Sequence, residues 1–218
     1  MKKKIVIFDL DGTLLNTIDD LTDSVNFMLN TFNFPLKTTQ QVKDSVGNGV
    51  AKLIERVIPQ GKNNLYFENC IEIFKQNYSK NMYNKTSPYS GIIELLEQLH
   101  KQNYTVAVVS NKFDRAVKEL CDKYFKGLVD FSSGEDEAGG IRKKPAPDTI
   151  FKVLENFRLQ KEDAVYVGDS EVDIQTAENA QIPCISVSWG FKSTKFLKEN
   201  GGQIIVNEPC EILTYLEH

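Results

Sequence analysis

The apolar run Ile5-Val6-Ile7-Phe8 ends in Asp9-Leu10-Asp11-Gly12-Thr13, and no other segment narrows the possible folds as much. Four apolar residues closed by a turn signal read as a buried strand. Such a strand delivers two carboxylates, two residues apart, to one end of a sheet, and an extended backbone aims both at the same side. Like charges in one place repel and raise at least one proton affinity unless a cation intervenes. The pair therefore points to a metal site or to a nucleophile beside an acid or base. Gly12 lets the chain turn sharply and approach a ligand closely. Taken alone, the pentapeptide is equally well explained as a polar strand exit with an ordinary turn glycine.

Three further segments follow in chain order. Val106-Ala107-Val108-Val109 is a second apolar strand, ending in Ser110-Asn111-Lys112 ahead of the helical pattern Val117, Leu120, Cys121, Tyr124. That order places a hydroxyl and backbone amides at a helix start, which is either a phosphate cradle or a routine cap. Lys143-Lys144-Pro145-Ala146-Pro147-Asp148 precedes a helical segment from Thr149 to Phe157, giving a positioned positive charge or a solvated basic turn. Ala164-Val165-Tyr166-Val167-Gly168 leads into Asp169-Ser170-Glu171-Val172-Asp173. A helix starting there puts Asp169 and Asp173 on one face, a second acidic pair at a strand end.

Between about Thr17 and Ser87 no strand pattern occurs. Instead Leu21, Val25, Met28, Leu29 and Phe32, then Leu53, Ile54 and Val57, then Phe67, Cys70, Ile71, Phe74 and Tyr78 recur at helical spacing. Pro88 and Gly91 punctuate the end of this module. Helices then alternate with strands near residues 105–110, 128–132, 164–168 and 184–188, with a short one at 204–206. The alternation predicts an α/β fold: a doubly wound, Rossmann-like parallel sheet built from 1–16 plus 88–218, with an all-helical insertion at 17–87. Ligands of such sheets bind beyond the carboxyl ends of the strands, where Asp9, Ser110 and Asp169 fall. Inside the insertion, Gly47-Asn48-Gly49 reads as a loop facing the core or a plain helix-helix turn, and Lys52 and Arg56 share a face of the next helix.

Composition removes several function classes. The net charge of −4 with dispersed basic residues leaves no nucleic-acid footprint. Four apolar residues after Met1-Lys2-Lys3-Lys4 are too few for a signal-peptide core, and no run approaches a membrane span, so a cytoplasmic protein is expected. Cys70, Cys121, Cys184 and Cys210 are widely spaced and read as reduced, buried thiols, and the sequons at Asn77, Asn84 and Asn103 as chance matches. Leu216-Glu217-His218 resembles a cloning remnant and is set aside. His100, beyond the stripe Ile92, Leu95, Leu96, Leu99, fits a helix C-terminus, which leaves carboxylates to do any acid-base work.

In order, Asp-x-Asp-Gly-Thr, strand-Ser-Asn, Lys-Pro and Gly-Asp-Ser-x-x-Asp resemble the four signature motifs of the haloacid dehalogenase superfamily, over nearly the whole chain. Asp9 to Leu21 and Val46-Gly47-Asn48-Gly49-Val50 are most similar to the phosphoglycolate phosphatase branch, with Asn16 standing where many relatives carry aspartate. The resemblance implies a magnesium-dependent hydrolase of small phosphorylated metabolites whose helical insertion is a mobile cap, crossed near Leu15 to Asp19 and Lys85 to Tyr89. It further implies that Asp9 attacks phosphorus and forms an aspartyl-phosphate, while Asp11 protonates the leaving alkoxide and later activates water. Ser110, the Asn111 amide and Lys144 would stabilise the transferring phosphoryl group. Magnesium would be held by Asp9, the Asp11 carbonyl and Asp169, with Asp173 either ligating directly or orienting waters. Gly12 and the cap residues Gly47, Asn48 and Arg56 would meet a small anionic ester such as 2-phosphoglycolate.

Other readings share parts of this pattern. A phosphoryl mutase of the beta-phosphoglucomutase type, a nucleotidase or a pyrophosphatase would use the same core chemistry on other substrates. Related dehalogenases lack the second aspartate, so Asp11 counts against them. A phospho-aspartate receiver lacks the helical insertion, and a non-catalytic binding module would not need every one of these positions filled. Oligomeric state is not written in the sequence.

Overall fold

Strand β1 (Ile5–Phe8) is buried on both faces, which is why its sequence is a continuous apolar run rather than an alternating one. In the computed structural model, which describes residues 3–135 and 139–216, the chain divides into two compact units, Met1–Leu15 with Pro88–His218, and Asn16–Ser87. The chain crosses between them at β2 (Leu15–Asn16) and β3 (Ser87–Pro88), which pair as a short ribbon.

The larger unit contains β4 (Thr105–Phe113), β5 (Phe131–Glu135), β6 (Ala164–Gly168), β7 (Cys184–Val187) and β8 (Ile204–Val206). With β1 they form a parallel sheet among the described residues, in the order β5-β4-β1-β6-β7-β8. The chain order reverses at β1: β4 and β5 lie to one side, β6 to β8 to the other. The doubly wound α/β class read from the sequence is the fold observed, and its switch point brings the ends of β1, β4 and β6 side by side. Ile5, Ile7, Ala107, Val109 and Tyr166 pack one face against Ile150, Val153 and Leu154, and against Ala177 and Ala180. The alternating Val6, Phe8, Val106 and Val108 are equally buried on the other.

The smaller unit is helical: α1 (Ile18–Thr31), α2 (Thr39–Ser45), α3 (Val50–Val57) and α4 (Phe67–Asn81). Its core includes Val25, Met28, Leu29, Val42, Leu53, Ile54, Cys70, Phe74 and Tyr78. In the first turn of α1, the buried Asp20 accepts hydrogen bonds from the Lys85 and Thr86 amides and from Thr86 Oγ1, at 2.8–3.1 Å. Those bonds bind the segment entering this unit to the one leaving it. The larger unit continues with α5 (Ile92–Lys101), α6 (Asp114–Tyr124), α7 (Asp148–Phe157), α8 (Glu171–Ala180) and α9 (Thr194–Glu199).

Several expectations need correction. The strand expected at 128–132 runs from Phe131 to Glu135, because Leu128 still belongs to the turn after α6, its amide bonded to the Phe125 carbonyl at 2.8 Å. Cys70 and Cys121 are buried free thiols, but Cys184 is half-buried and Cys210 exposed. Leu216 is fully buried and its carbonyl accepts from the Lys3 amide at 3.2 Å, so it belongs to the fold; Glu217 and His218 lie outside the described residues. His100 does sit in the last turn of α5, its Nε2 3.0 Å from the Leu128 carbonyl oxygen. Among the described residues, no helix is long and apolar enough to cross a membrane.

Candidate active site

The three strand ends at the switch point each contribute a polar segment to one place. Asp9 follows β1, residues 110–112 lie at the end of β4, and Asp169 follows β6. Oxygens of Asp9, Asp169 and Asp173 lie within 4.8 Å of one another, all on buried residues. Asp169 and Asp173 do come together, but not by sharing a helix face. Asp169 precedes α8 and is not on it, while Asp173 is the third residue of that helix and forms a capping box with Ser170. Their proximity comes from the tight turn at Ser170.

Lys144 enters this cluster from the loop before α7, immediately ahead of the cis peptide bond to Pro145. Its ammonium donates to Asp9 Oδ1 and to Asp173 Oδ1, both at 2.7 Å, and to the Tyr166 hydroxyl at 2.9 Å, which matches its three N–H groups. Asn111 fixes the loop. Its side-chain amide donates to the Lys144 carbonyl at 2.9 Å, and its carbonyl oxygen accepts from the Lys144 amide at 2.8 Å. Ser110 is buried, and its hydroxyl accepts from the Lys112 amide at 3.3 Å. It is not at a helix start, since β4 runs on through Phe113 with a register irregularity after Val109, and α6 begins at Asp114.

Asp11 takes a different partner. Both of its carboxylate oxygens lie 3.0 Å from Lys112 Nζ, so the two acids of the first motif are held by two separate lysines. Gly12 has φ 86°, and a Cβ there would overlap the Asp169 carboxylate. A Cβ on Gly190 would overlap the Asp169 side chain and the Gly12 carbonyl, so two backbones press on one carboxylate. Phe191 donates its amide to Asp169 Oδ2 at 2.6 Å, and the Trp189 indole donates to the Thr13 carbonyl at 3.0 Å.

The charge balance of the cluster favours a cation. Burial, then repulsion by Asp173 and Asp11, pushes the Asp9 carboxyl up to about 7 despite Lys144, and burial, then Asp173 and Asp9, raises Asp169 well above the usual carboxylate range. Burial alone would lower Lys144, yet Asp173 and Asp9 keep it above an ordinary lysine. Oxygen donors of this kind suit a small, hard divalent cation. Asp9 and Asp169 are the better placed to hold one. Each oxygen of Asp173 already accepts from two donors, Oδ1 from Lys144 and Tyr166, Oδ2 from the Ser170 amide and hydroxyl, whereas each oxygen of Asp169 accepts from one, Oδ1 from the Thr13 hydroxyl at 3.4 Å and Oδ2 from the Phe191 amide at 2.6 Å.

Four contributors have no signature motif to mark them: Lys112, Tyr166, and the Trp189 and Phe191 contacts. Tyr166 is disguised as one more apolar strand residue, whereas a Trp-Gly pair that follows β7 after one intervening residue is a usable signal. In the helical unit, Arg56 is tied to the loop that carries Gly47 and Asn48. The Arg56 guanidinium donates to the Ser45 carbonyl and to Asn48 Oδ1, each at 2.9 Å, while Lys52 pairs with Glu55 at 2.8 Å.

Comparison with known proteins agrees with this arrangement. Residues 6–187 match the model of the haloacid dehalogenase-like hydrolases. A phosphoglycolate phosphatase of Aquifex aeolicus is 31% identical over 189 residues, covering 86% of each chain. Another from Pseudomonas fluorescens is 29% identical, covering 94% of this chain and 76% of its own length. A crystal structure from Lactobacillus delbrueckii subsp. bulgaricus, whose protein carries a provisional phosphoglycolate phosphatase name, is 33% identical with a TM-score of 0.94 and covers 100% of this chain and 99% of its own. The chain belongs to the haloacid dehalogenase-like hydrolase family.

Proposed function

We propose that this protein is a magnesium-dependent phosphatase that hydrolyses small phosphate monoesters, with 2-phosphoglycolate as the favoured substrate, through an aspartyl-phosphate on Asp9. The observation that carries the reading is the buried Asp9, Asp169, Asp173 and Lys144 cluster, whose three carboxylates, once ionised, would carry more negative charge than one ammonium neutralises. Lys144 engages Oδ1 of Asp9 and orients that carboxylate for in-line attack on phosphorus. As the ester P–O bond breaks, Asp11 gives a proton to the departing alkoxide. It then takes one from the water that attacks the aspartyl-phosphate and releases phosphate. Ser110, the Asn111 amide and Lys144 stabilise charge on the transferring group.

Asp9, Asp169 and the Asp11 carbonyl would hold the cation, and Asp173 acts through Lys144 and Ser170. A bound magnesium supplies positive charge against the phosphoryl oxygens. The names of the relatives support the substrate, and Gly47, Asn48 and Arg56 are the residues assigned to its carboxylate end. The test is phosphate release from a panel of esters, with and without magnesium. The reading expects 2-phosphoglycolate to lead the panel and excess chelator to abolish turnover. Full activity in chelator would remove the metal, and preference for nucleoside monophosphates, pyrophosphate or hexose phosphates would remove the substrate.

A further inference from the structure

We propose that Lys112 is a positioning residue that fixes the orientation of the Asp11 carboxyl for proton transfer. The inference rests on the reading of Asp11 as the acid and base of a phosphatase. Lys112 Nζ is equidistant from the two Asp11 oxygens, 3.0 Å each, and its side chain is only 4% exposed against 13% for Asp11. A lysine on the surface holds a carboxylate loosely, because both chains keep their rotamer freedom. Here the lysine is fixed at both ends. Its amide donates to Ser110 Oγ, and its carbonyl is packed so closely by Gly134 of β5 that a Cβ there would overlap it. A contact to both oxygens restrains rotation of the carboxyl about its own axis, the motion that would carry a proton away from its acceptor. Proton transfer needs a heavy-atom separation of about 2.6–3.2 Å, so small rotations matter. Lys144 serves Asp9 and Lys112 serves Asp11, which separates the two duties.

The experiment compares kcat/KM on an alkyl ester, 2-phosphoglycolate, with that on 4-nitrophenyl phosphate, whose phenolate leaves without a proton. Lys112→Met should lose about 10- to 100-fold on the alkyl ester and less than about threefold on the aryl ester, because only the former depends on the delivered proton. Lys112→Arg should recover part of the alkyl loss. In an Asp11→Asn background Lys112→Met should add nothing, since the group it positions is gone. Equal losses on both esters, or a full further loss in the Asp11→Asn background, would overturn the proposal and assign Lys112 to the phosphoryl group itself. If melting shows that Lys112→Met is not folded, Lys112→Gln takes its place with the same selective loss expected. Wild-type protein that hydrolyses neither ester would refute the phosphatase reading and this inference together; active wild type with unselective losses would refute the inference alone.

Discussion

Exchanging either Asp169 or Asp173 for asparagine should move stability in opposite directions, although the two lie four residues apart in one buried cluster. Asp169 accepts the Phe191 amide at 2.6 Å through Oδ2 and the Thr13 hydroxyl at 3.4 Å through Oδ1. Asparagine keeps the first bond with its oxygen and donates the second from its nitrogen. It also removes a charge that burial, then Asp173 and Asp9, make costly to form. Asp169→Asn should therefore stabilise the protein in chelator, because the neutral amide avoids the cost of a buried charge. Calorimetry reads that gain as a rise in Tm. Asp173 faces the Lys144 ammonium, the Ser170 amide, and two hydroxyls that donate to it. With asparagine, one side must present N–H groups to a donor. The least costly choice abandons the Ser170 amide at about 1 kcal/mol for the cap and about 1–3 kcal/mol for the unsatisfied donor, partly offset by relief of carboxylate repulsion. A net loss of about 2 kcal/mol lowers Tm by roughly 4–8 °C. Calorimetry with chelator and then with magnesium reads both effects. Wild type and Asp173→Asn should gain Tm with magnesium, and Asp169→Asn should not. Destabilisation by Asp169→Asn, or a magnesium response that survives it, would refute the division of roles.

Three other outcomes follow from the same geometry. Asp11→Asn should lose about 10²–10⁴-fold in kcat/KM on 2-phosphoglycolate and much less on 4-nitrophenyl phosphate, and equal losses would argue against proton delivery by Asp11. In chelator, Tm should fall as pH rises from about 4 to about 7: the raised Asp9 carboxyl keeps its proton in the folded chain after the unfolded chain has released its own near 3.8. The carboxyls lowered by pairing, such as Asp114 and Asp148, act below that window and the raised Asp169 adds to the slope within it, so Asp9→Asn should reduce the slope, and an unchanged slope contradicts the assignment. Gly190→Ala should weaken magnesium binding measured by calorimetry and cost about 1–3 kcal/mol of stability, because its methyl must displace Asp169 or the Gly12 backbone; wild-type affinity would show that the cradle is soft.

The sequence shows the sheet best where burial leaves one chemical choice. β1, β6 and the first half of β4 are runs of valine, isoleucine and their like because both faces are covered. β5 starts later than the apolar pattern suggests because its own residues, Phe-Ser-Ser-Gly-Glu, are mostly not apolar, while the preceding Leu128 and Val129 are. What fixes it is Asp130, which accepts from the Val106 amide at 2.8 Å, a tertiary bond with no periodic signature. α2 leaves no hydrophobic stripe because Val42 is its one buried residue, and its mark in the sequence is the capping-box spacing of Thr38 and Gln41. In the site, the acids and Lys144 were each marked by a strand end or a proline, and the structure brings Asp9, Asp169, Asp173 and Lys144 together. Partner choice was not legible. That Lys112 would take Asp11, and Asn111 the Lys144 main chain, depends on the register of β4 past Val109.

The central claim is that phosphorus passes through Asp9. Rapid mixing of wild-type protein with magnesium and 2-phosphoglycolate, acid quench within one turnover, and peptide mass mapping would test it most directly. The account predicts a transient phosphate on the peptide containing Asp9, formed and lost at rates no slower than turnover, and absent in Asp9→Asn. Turnover with the phosphate on another residue, or an Asp9→Asn protein that still hydrolyses the ester at the wild-type rate, would contradict it.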